Sequence, residues 1–285
     1  MIVVTGATGR YGPLVIESLL RRGAASSEIT AAVRDPQKAA GLTARGIQVR
    51  RADYNDPELL AEAFVGADKV LLVSSDGPTE VRIRHHRNAV TAAKQVGVGL
   101  LIYTSLVNAA DSPLGMAVTH RETERIITES GLASVVLRNG WYTENYTAQL
   151  PGAVERGAIV GTAGDGRIAS AACTDLAEAA AAVLLSDGHT GKVYELTGEE
   201  AWSLPELAAE TAKQSGKEVI YQNVTPEQYG AILTRIGLPD FMVDLLVDAE
   251  VQISKGALAT TTGDLAALLG RSTTPLADRV AAALK

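Results

Sequence analysis

The chain has a single cysteine, Cys173, in 285 residues. No intrachain disulfide is therefore possible, and a reducing compartment is the simpler setting. Cys173 follows Ala171 and Ala172, an apolar context that points to core packing rather than to a nucleophile. Long hydrophobic runs are also missing. The longest, Ala179 to Leu185, falls far short of the roughly 20 residues that span a bilayer, so no membrane partner is expected. Basic excess is absent as well, since 26 Lys and Arg face 33 Asp and Glu for a net charge of −7. A nucleic-acid surface is excluded on that ground. Arg82, Arg84 and Arg87 with His85 and His86 form the one basic cluster, expected as the solvated or interface face of a helix rather than as a phosphate site. There is no internal repeat and no low-complexity tract. Met1 leads straight into an apolar segment, which leaves no room for a signal or transit sequence. A soluble, cytoplasmic protein is the expectation.

What is present is an alternation of short apolar runs with helical patterns, which predicts βαβ units and a parallel sheet. Strands are expected at Ile2 to Thr5, Ile29 to Val33, Gln48 to Arg51, Val70 to Val73, Leu100 to Tyr103 and Val135 to Leu137. Helices are expected at Tyr11 to Arg22, Pro36 to Arg45, Pro57 to Phe64, Glu80 to Val96 and Thr119 to Ser130. Thr119 and Glu122 carry the spacing of a capping box. Six strands with intervening helices make an α/β, doubly wound parallel sheet of the Rossmann kind. After Trp141, Gly152, Gly157, Gly161, Gly164 and Gly166 break the pattern into short pieces. An Ala-rich helix at Asp175 to Leu185 and a strand at Val193 to Leu196 suggest a return to the first domain, and helical patterns dominate from Ser203 onward. The expected organisation is a nucleotide-binding domain over 1–140, rejoined by 171–196. A smaller, mostly helical substrate lobe covers 141–170 and 197–285.

Directly behind the first strand stands Thr5-Gly6-Ala7-Thr8-Gly9-Arg10-Tyr11-Gly12. A strand, a glycine-rich turn and a helix start form the local architecture that binds a dinucleotide pyrophosphate. Gly6 and Gly9 permit the sharp turn and the close approach of backbone to phosphate, and Gly12 permits tight helix–strand packing. Free N–H groups at the helix start then face the anion. A glycine-rich turn without a ligand is the bland alternative. At the end of the second strand an NAD-selective site carries an acidic residue for the ribose 2′-hydroxyl, whereas this chain has Arg34. A guanidinium there pairs with a 2′-phosphate, which favours NADP. Asp35 is either a ribose ligand or the N-cap ahead of Pro36. Asp53 and Tyr54 follow the third strand, where side chains reach the adenine. Ser74 and Ser75 end the fourth, either beside the middle of the cofactor or as a polar turn before Gly77 and Pro78.

One absence concerns chemistry. Many reductases protonate a carbonyl oxygen with a Tyr whose pKa is lowered by a Lys four residues on. Here the residues at that offset are Val15, Glu58, Val107, Tyr146, Leu150, Gly198, Thr225 and Leu233. None is Lys, so ordinary ketone and alcohol chemistry through that pair is excluded. Where the missing pair would sit, His120 and Glu124 lie one helical turn apart on one face. His120 either orients or protonates a substrate, or it is a capping or packing residue.

These residues resemble the NmrA-like atypical short-chain dehydrogenases, and among them most closely the bacterial type-2 NAD(P)H:quinone oxidoreductases. The resemblance rests on Thr5 to Gly9, Val33-Arg34, Ala52-Asp53-Tyr54, Leu72-Val73-Ser74-Ser75, Tyr103-Thr104-Ser105 and Leu137 to Tyr142. Gly164 to Ser170 and Gly191 to Leu196 extend it over essentially the whole chain. It implies NADPH-dependent two-electron reduction of quinones to hydroquinones, without flavin or metal, by a possible homodimer. It also implies that Gly6, Ala7, Thr8, Gly9, Arg10, Tyr11, Arg34, Ser74, Ser75, Arg138, Asn139, Gly140, Trp141 and Tyr142 line the cofactor; Asp53, Asp76 and Thr143 complete the expected cofactor site, and His120 and Tyr142 are the expected catalytic candidates. Asp76 departs from the pattern, which more typically has a third serine there. A quinone takes hydride readily and its phenolate product is a weak base, so catalysis is expected to be mostly positioning. Two other readings fit the same residues: reduction of triphenylmethane dyes, and a redox-sensing regulator that binds NADP without turnover.

Overall fold

Apolar β-branched runs too short for helices, each closed by a turn, set the strands. In a computed structural model that describes residues 1–285, the first half runs β1 (Ile2–Thr5), α1 (Gly12–Arg21), β2 (Ile29–Val33), α2 (Ala40–Thr43), β3 (Gln48–Arg51), α3 (Pro57–Phe64), β4 (Lys69–Leu72), α4 (Thr79–Gln95), β5 (Leu100–Leu106), α5 (Ala117–Ser130) and β6 (Ser134–Asn139). The sheet order is β3-β2-β1-β4-β5-β6, completed at its edge by β9 (Val193–Leu196). The neighbours from β3 to β6 all pair in parallel. Every residue of β2 and of β5 is buried, as expected for parallel strands covered on both faces. The chain order reverses between β1 and β4, and Ile2 and Val3 of β1 pair in register with β2 on one side and with β4 on the other. That switch point is where ligands of open α/β sheets sit, at the carboxyl ends of the strands.

The fold is the doubly wound sheet that the alternation predicts, with differences of detail that have physical causes. The helix expected over Pro36 to Arg45 is a 3-10 turn, Pro36–Ala39, followed by the single turn of α2. Gly41 inside that turn disfavours a longer helix by about 1 kcal/mol relative to alanine. Strand β5 continues three residues past Tyr103 because Ser105 and Leu106 pair with Arg138 and Asn139. The expected capping box fails: α5 begins at Ala117, so Thr119 lies inside its first turn and its buried hydroxyl has no partner. Glu122 turns outward to Arg125 and Arg87 instead.

The rest of the chain comprises α6 (Glu144–Thr147), α7 (Leu150–Arg156), β7 (Ala158–Gly161), β8 (Arg167–Ile168), α8 (Cys173–Leu185), β10 (Trp202–Ser203), α9 (Leu204–Ser215), β11 (Ile220–Asn223), α10 (Pro226–Arg235), α11 (Asp240–Ser254), α12 (Asp264–Leu269) and α13 (Leu276–Ala283). Two compact units result. One holds Met1–Ala109, Val118–Asn139 and Thr174–Tyr194, and the other Ala110–Ala117, Gly140–Cys173 and Glu195–Lys285. In the second unit β7 pairs in parallel with β11, and β8 antiparallel with β10. Ser203 caps α9 reciprocally with Glu206, as Thr225 caps α10 with Gln228. No helix is long and apolar enough to cross a membrane.

Candidate functional site

The turn after β1 is built for backbone approach. Gly6 has φ +59, a left-handed conformation that side chains rarely adopt, and the Gly9 amide closes the turn onto Gly6 O at 2.9 Å. A Cβ on Gly12 would collide with Gly6 O and lie 2.8 Å from Ala7 Cα, so only glycine lets α1 start there. No side chain caps α1, and its first turn has no acidic residue. The helix start thus offers N–H groups and a positive dipole end to an anion. Thr8, Gly9 and Arg10 are exposed at this turn. Tyr11 differs from expectation: its side chain is buried and its hydroxyl donates to Leu176 O at 2.8 Å. It anchors α8 and leaves only its backbone for a ligand.

Arg34, directly after β2, is exposed and forms no ion pair, so its guanidinium is available to a 2′-phosphate. Asp35 takes the capping role, accepting from Gln37 N at 3.0 Å. Asp53 folds back on its own turn, where Oδ1 accepts from Asn55 N at 2.9 Å. Tyr54 does not point outward. Its hydroxyl bonds Thr5 Oγ1 and donates to Val73 O, both at 2.7 Å, and burial holds the phenol far above its ordinary pKa.

The residues after β4 are held by a buried cationic and imidazole network. Arg82 Nε donates to Ser75 O at 2.7 Å, and its Nη2 to Ser74 Oγ at 2.8 Å. The Ser75 amide donates to His86 Nε2 at 3.0 Å, so His86 carries its proton on Nδ1, facing Thr123 Oγ1 at 2.8 Å. Burial, then Arg82, then His85 pull the His86 pKa to about 3. This corrects the expectation of a solvated helix face. Arg84 and Arg87 are exposed, but Arg82 and His86 are buried, because α4 turns one side against the sheet. Asp76 is exposed at the tip of the same segment.

His120 also differs from a free acid. It is 3% exposed; Arg82 Nη2 donates to its Nε2 at 3.1 Å, and its Nδ1 faces Tyr103 Oη at 2.9 Å. A guanidinium only donates, so the ring is the neutral Nδ1–H tautomer. Desolvation first, then Arg82 and His86, hold its pKa well below the usual histidine value. Both ring nitrogens are occupied within the protein, which makes His120 a positioning residue. Its expected neighbour Glu124 instead receives Arg138, whose Nε and Nη2 donate to its two oxygens at 3.0 and 2.7 Å. Ser105 Oγ adds a third bond at 2.6 Å. Arg138 is therefore engaged by Glu124 and has not been left to the cofactor alone.

Asn139 at the end of β6 is the exception to this saturation. The residue is 3% exposed and its Val107-bonded carbonyl is satisfied, yet neither Nδ2 nor Oδ1 has a partner. A buried amide with nothing to bind is costly unless a ligand completes it. The uncapped helix start, the Cβ-free contact at Gly12, the unpaired Arg34 and the orphaned Asn139 amide together fit a nicotinamide dinucleotide.

In the second unit, Gly140 N donates to Leu196 O at 2.7 Å, and a Cβ on Gly140 would lie 2.8 Å from that oxygen. Thr143 is buried with its hydroxyl on Ser170 Oγ at 2.8 Å, which takes its side chain away from any ligand. Tyr142 is half-buried and bridges to Ala171. Trp141 lines a cavity of about 60 Å³ together with Asn145, Tyr146, Tyr229, Leu246 and Glu250. Burial keeps the phenols of Tyr146 and Tyr229 protonated well above the usual range, and the charge of Glu250 adds to it.

The sequence pattern of the NAD(P)H-binding family matches residues 6–187. The chain belongs to that family. Along nearly its whole length it is similar to quinone oxidoreductase 2 of Escherichia coli (strain K12), 50% identical over 280 residues, 98% of this chain and 97% of that protein. The structure of the E. coli NADPH-dependent quinone oxidoreductase complexed with NADPH matches with a TM-score of 0.96 and 49% identity. Triphenylmethane reductase of Citrobacter sp., complexed with NADP(H), also gives 0.96, at 38% identity. Each covers 100% of both chains.

Sequence reasoning passed over the clamp of Arg82, His86 and Tyr103, and the cavity residues Tyr146, Tyr229 and Glu250. One signal was available. On α11 the inward positions Val243, Ala249 and Ile253 are buried and apolar, and Glu250 is a carboxylate among them. A charged residue on an apolar helical stripe is a rare arrangement unless it is paired or functional.

Proposed function

We propose that the chain catalyses NADPH-dependent two-electron reduction of quinones to hydroquinones. The observation that carries this reading is the match, over nearly the whole chain, to an E. coli quinone oxidoreductase. The site supports it chemically. Gly6, Gly9 and the start of α1 would hold the pyrophosphate, Arg34 the 2′-phosphate, and Asn139 the carboxamide end of the cofactor. Bound NADPH would supply a hydride. Ser74 and Ser75, fixed by Arg82 and His86, shape the floor of that site. With no Tyr–Lys pair and with His120 sealed between Arg82 and Tyr103, the chain suits an acceptor that needs little acid help. Quinones meet that condition, because a phenolate is a far weaker base than an alkoxide.

Purified protein is mixed with NADPH and a panel of simple quinones, and the loss of NADPH absorbance is followed. Rapid oxidation with quinones and little with ketones is the expected result. Malachite green serves as the contrasting acceptor, since its cation takes hydride at carbon and needs no proton. Dye bleaching much faster than quinone turnover would replace this reading with that of a triphenylmethane reductase, the likeness at 38% identity. Tight NADPH binding with no turnover of either would favour a redox-sensing regulator.

A further inference from the structure

Arg82 is a buried cation without a counter-ion. It is 8% exposed on α4, and no carboxylate lies within ion-pair distance of it. Its acceptors are all uncharged: Ser75 O takes Nε at 2.7 Å, while Ser74 Oγ and His120 Nε2 take Nη2 at 2.8 and 3.1 Å. The neighbouring rings add no negative charge, since His86 Nε2 accepts the Ser75 amide at 3.0 Å and His120 Nε2 accepts from the guanidinium itself. Asp76 acts on Arg82 only from a distance, at an exposed position further along the same segment. Desolvating a charged group is costly unless an opposite charge offsets it, and no carboxylate in contact does so here.

The place of this charge is specific. Val73, the residue before Ser74, meets the glycine turn: a Cβ on Gly6 would lie 3.6 Å from Val73 Cβ, and Val73 N donates to Thr5 Oγ1 at 2.9 Å. The segment that follows is fixed from α4 and β5. Thr104 Oγ1 on β5 accepts the Ser74 amide at 2.9 Å, as His86 on α4 accepts that of Ser75. Both serine amides are therefore taken, and neither can bind a phosphate. The positive potential that Ser74 and Ser75 can offer an anion comes from the guanidinium behind them. All these residues belong to one compact unit, the one that also holds the glycine turn and Arg34.

We propose that Arg82 is a positioning residue for the dinucleotide: its guanidinium sets Ser74 and Ser75 against the glycine turn, and its charge, unpaired in the fold, balances the diphosphate of the bound cofactor. The inference rests on the NADPH reading above. A diphosphate is common to NADPH and NADH, so Arg82 contributes equally to both. That separates its role from the selective one expected of Arg34. The guanidinium is also the cation suited to the task, because its planar fork serves three acceptors at once, whereas an ammonium is a single point of charge.

The test measures dissociation constants for NADPH and NADH by cofactor fluorescence in the wild type, Arg82→Met and Arg82→Lys. Circular dichroism checks each fold, and kcat and KM for NADPH are taken with 1,4-benzoquinone. Arg82→Met should weaken both cofactors by about ten- to a hundredfold, the weight of one hydrogen bond to a charged group, and should raise KM for NADPH by more than it lowers kcat. Arg82→Lys keeps the charge without the fork, so it should rescue most of the affinity and lose only about two- to tenfold, the weight of one ordinary hydrogen bond. An arginine with a merely structural role would change the folded fraction and leave the affinity of the folded protein as it was. Folded Arg82→Met with wild-type affinity for both cofactors overturns the proposal, as does a loss confined to NADPH, which would belong to the 2′-phosphate. If Arg82→Met does not fold, Arg82→Lys decides: a loss shared by both cofactors supports the proposal, and wild-type affinity overturns it. Failure of the wild type to reduce any quinone would remove the quinone reading, while the affinities would still decide the role of Arg82. A wild type that binds neither cofactor overturns both.

Discussion

Arg82 donates from Nη2 to Nε2 of His120 at 3.1 Å, and that bond fixes the charge state of a whole buried network. A guanidinium that cannot accept forces His120 to be neutral. The same arginine, lying beside His86, helps keep that ring neutral too. The functional consequence lies upstream of any chemistry, since these rings hold Ser74 and Ser75 where the fourth strand ends.

The first prediction concerns acid stability. His86 has its folded pKa depressed to about 3 from an unfolded value near 6.5. Its stabilising contribution is therefore fully present above about pH 6.5 and is lost as pH falls toward 3. In that window the unfolded chain binds more protons, so stability should drop by about 1.4 kcal/mol per pH unit for this one histidine. His120 adds to the slope in the same direction. Urea unfolding at stepped pH measures it, and His86→Gln should have a shallower slope than wild type.

A second prediction separates the two cofactors. Arg34 is exposed and unpaired, so removing it should cost little stability and, on the proposed reading of the site, would remove one charge-assisted contact to a 2′-phosphate. Arg34→Ala should weaken NADPH affinity by about ten- to a hundredfold, from roughly 1.5–3 kcal/mol, and leave NADH affinity nearly unchanged. Titration of NADPH and NADH fluorescence decides it; equal losses would make Arg34 structural.

A third addresses the glycine turn. Because a Cβ on Gly12 meets Gly6 O and Ala7 Cα, both backbone atoms, Gly12→Ala must push α1 away from β1. NADPH affinity should fall at least about tenfold, with a stability loss of about 1–3 kcal/mol from overpacking. Gly41→Ala, at a position with nothing within 4 Å, should be neutral or slightly stabilising in the same denaturation assay.

How much of this was legible in the sequence follows from what kind of interaction each feature uses. The strands β1, β2 and β3 and helix α3 have the boundaries expected, because apolar runs and Asp–Pro caps are local signals. Asp56, for example, caps α3 through the amides of Glu58 and Leu59. The close approach at Gly12 was legible for the same reason, since it acts from a fixed offset within one βα unit. Thr119 misled: Thr and Glu three apart is a start signal only where the chain begins its helix, and packing moved that start to Ala117. His120 misled too, because a histidine near a substrate and a histidine between an arginine and a tyrosine look alike in sequence.

The sequence by itself determined that this chain winds a parallel sheet, follows β1 with a tight glycine turn and has no Tyr–Lys pair. Those properties depend on residue order, spacing and absence. The tertiary structure alone decided which polar groups are spent and which are left over. Arg82, 38 residues from His120 in the chain, silences that histidine; Glu124 takes up Arg138. Asn139 keeps unused capacity, with both polar atoms of its buried amide unpaired. Burial and partnership are properties of contacts between distant segments, and only the folded chain brings those segments together.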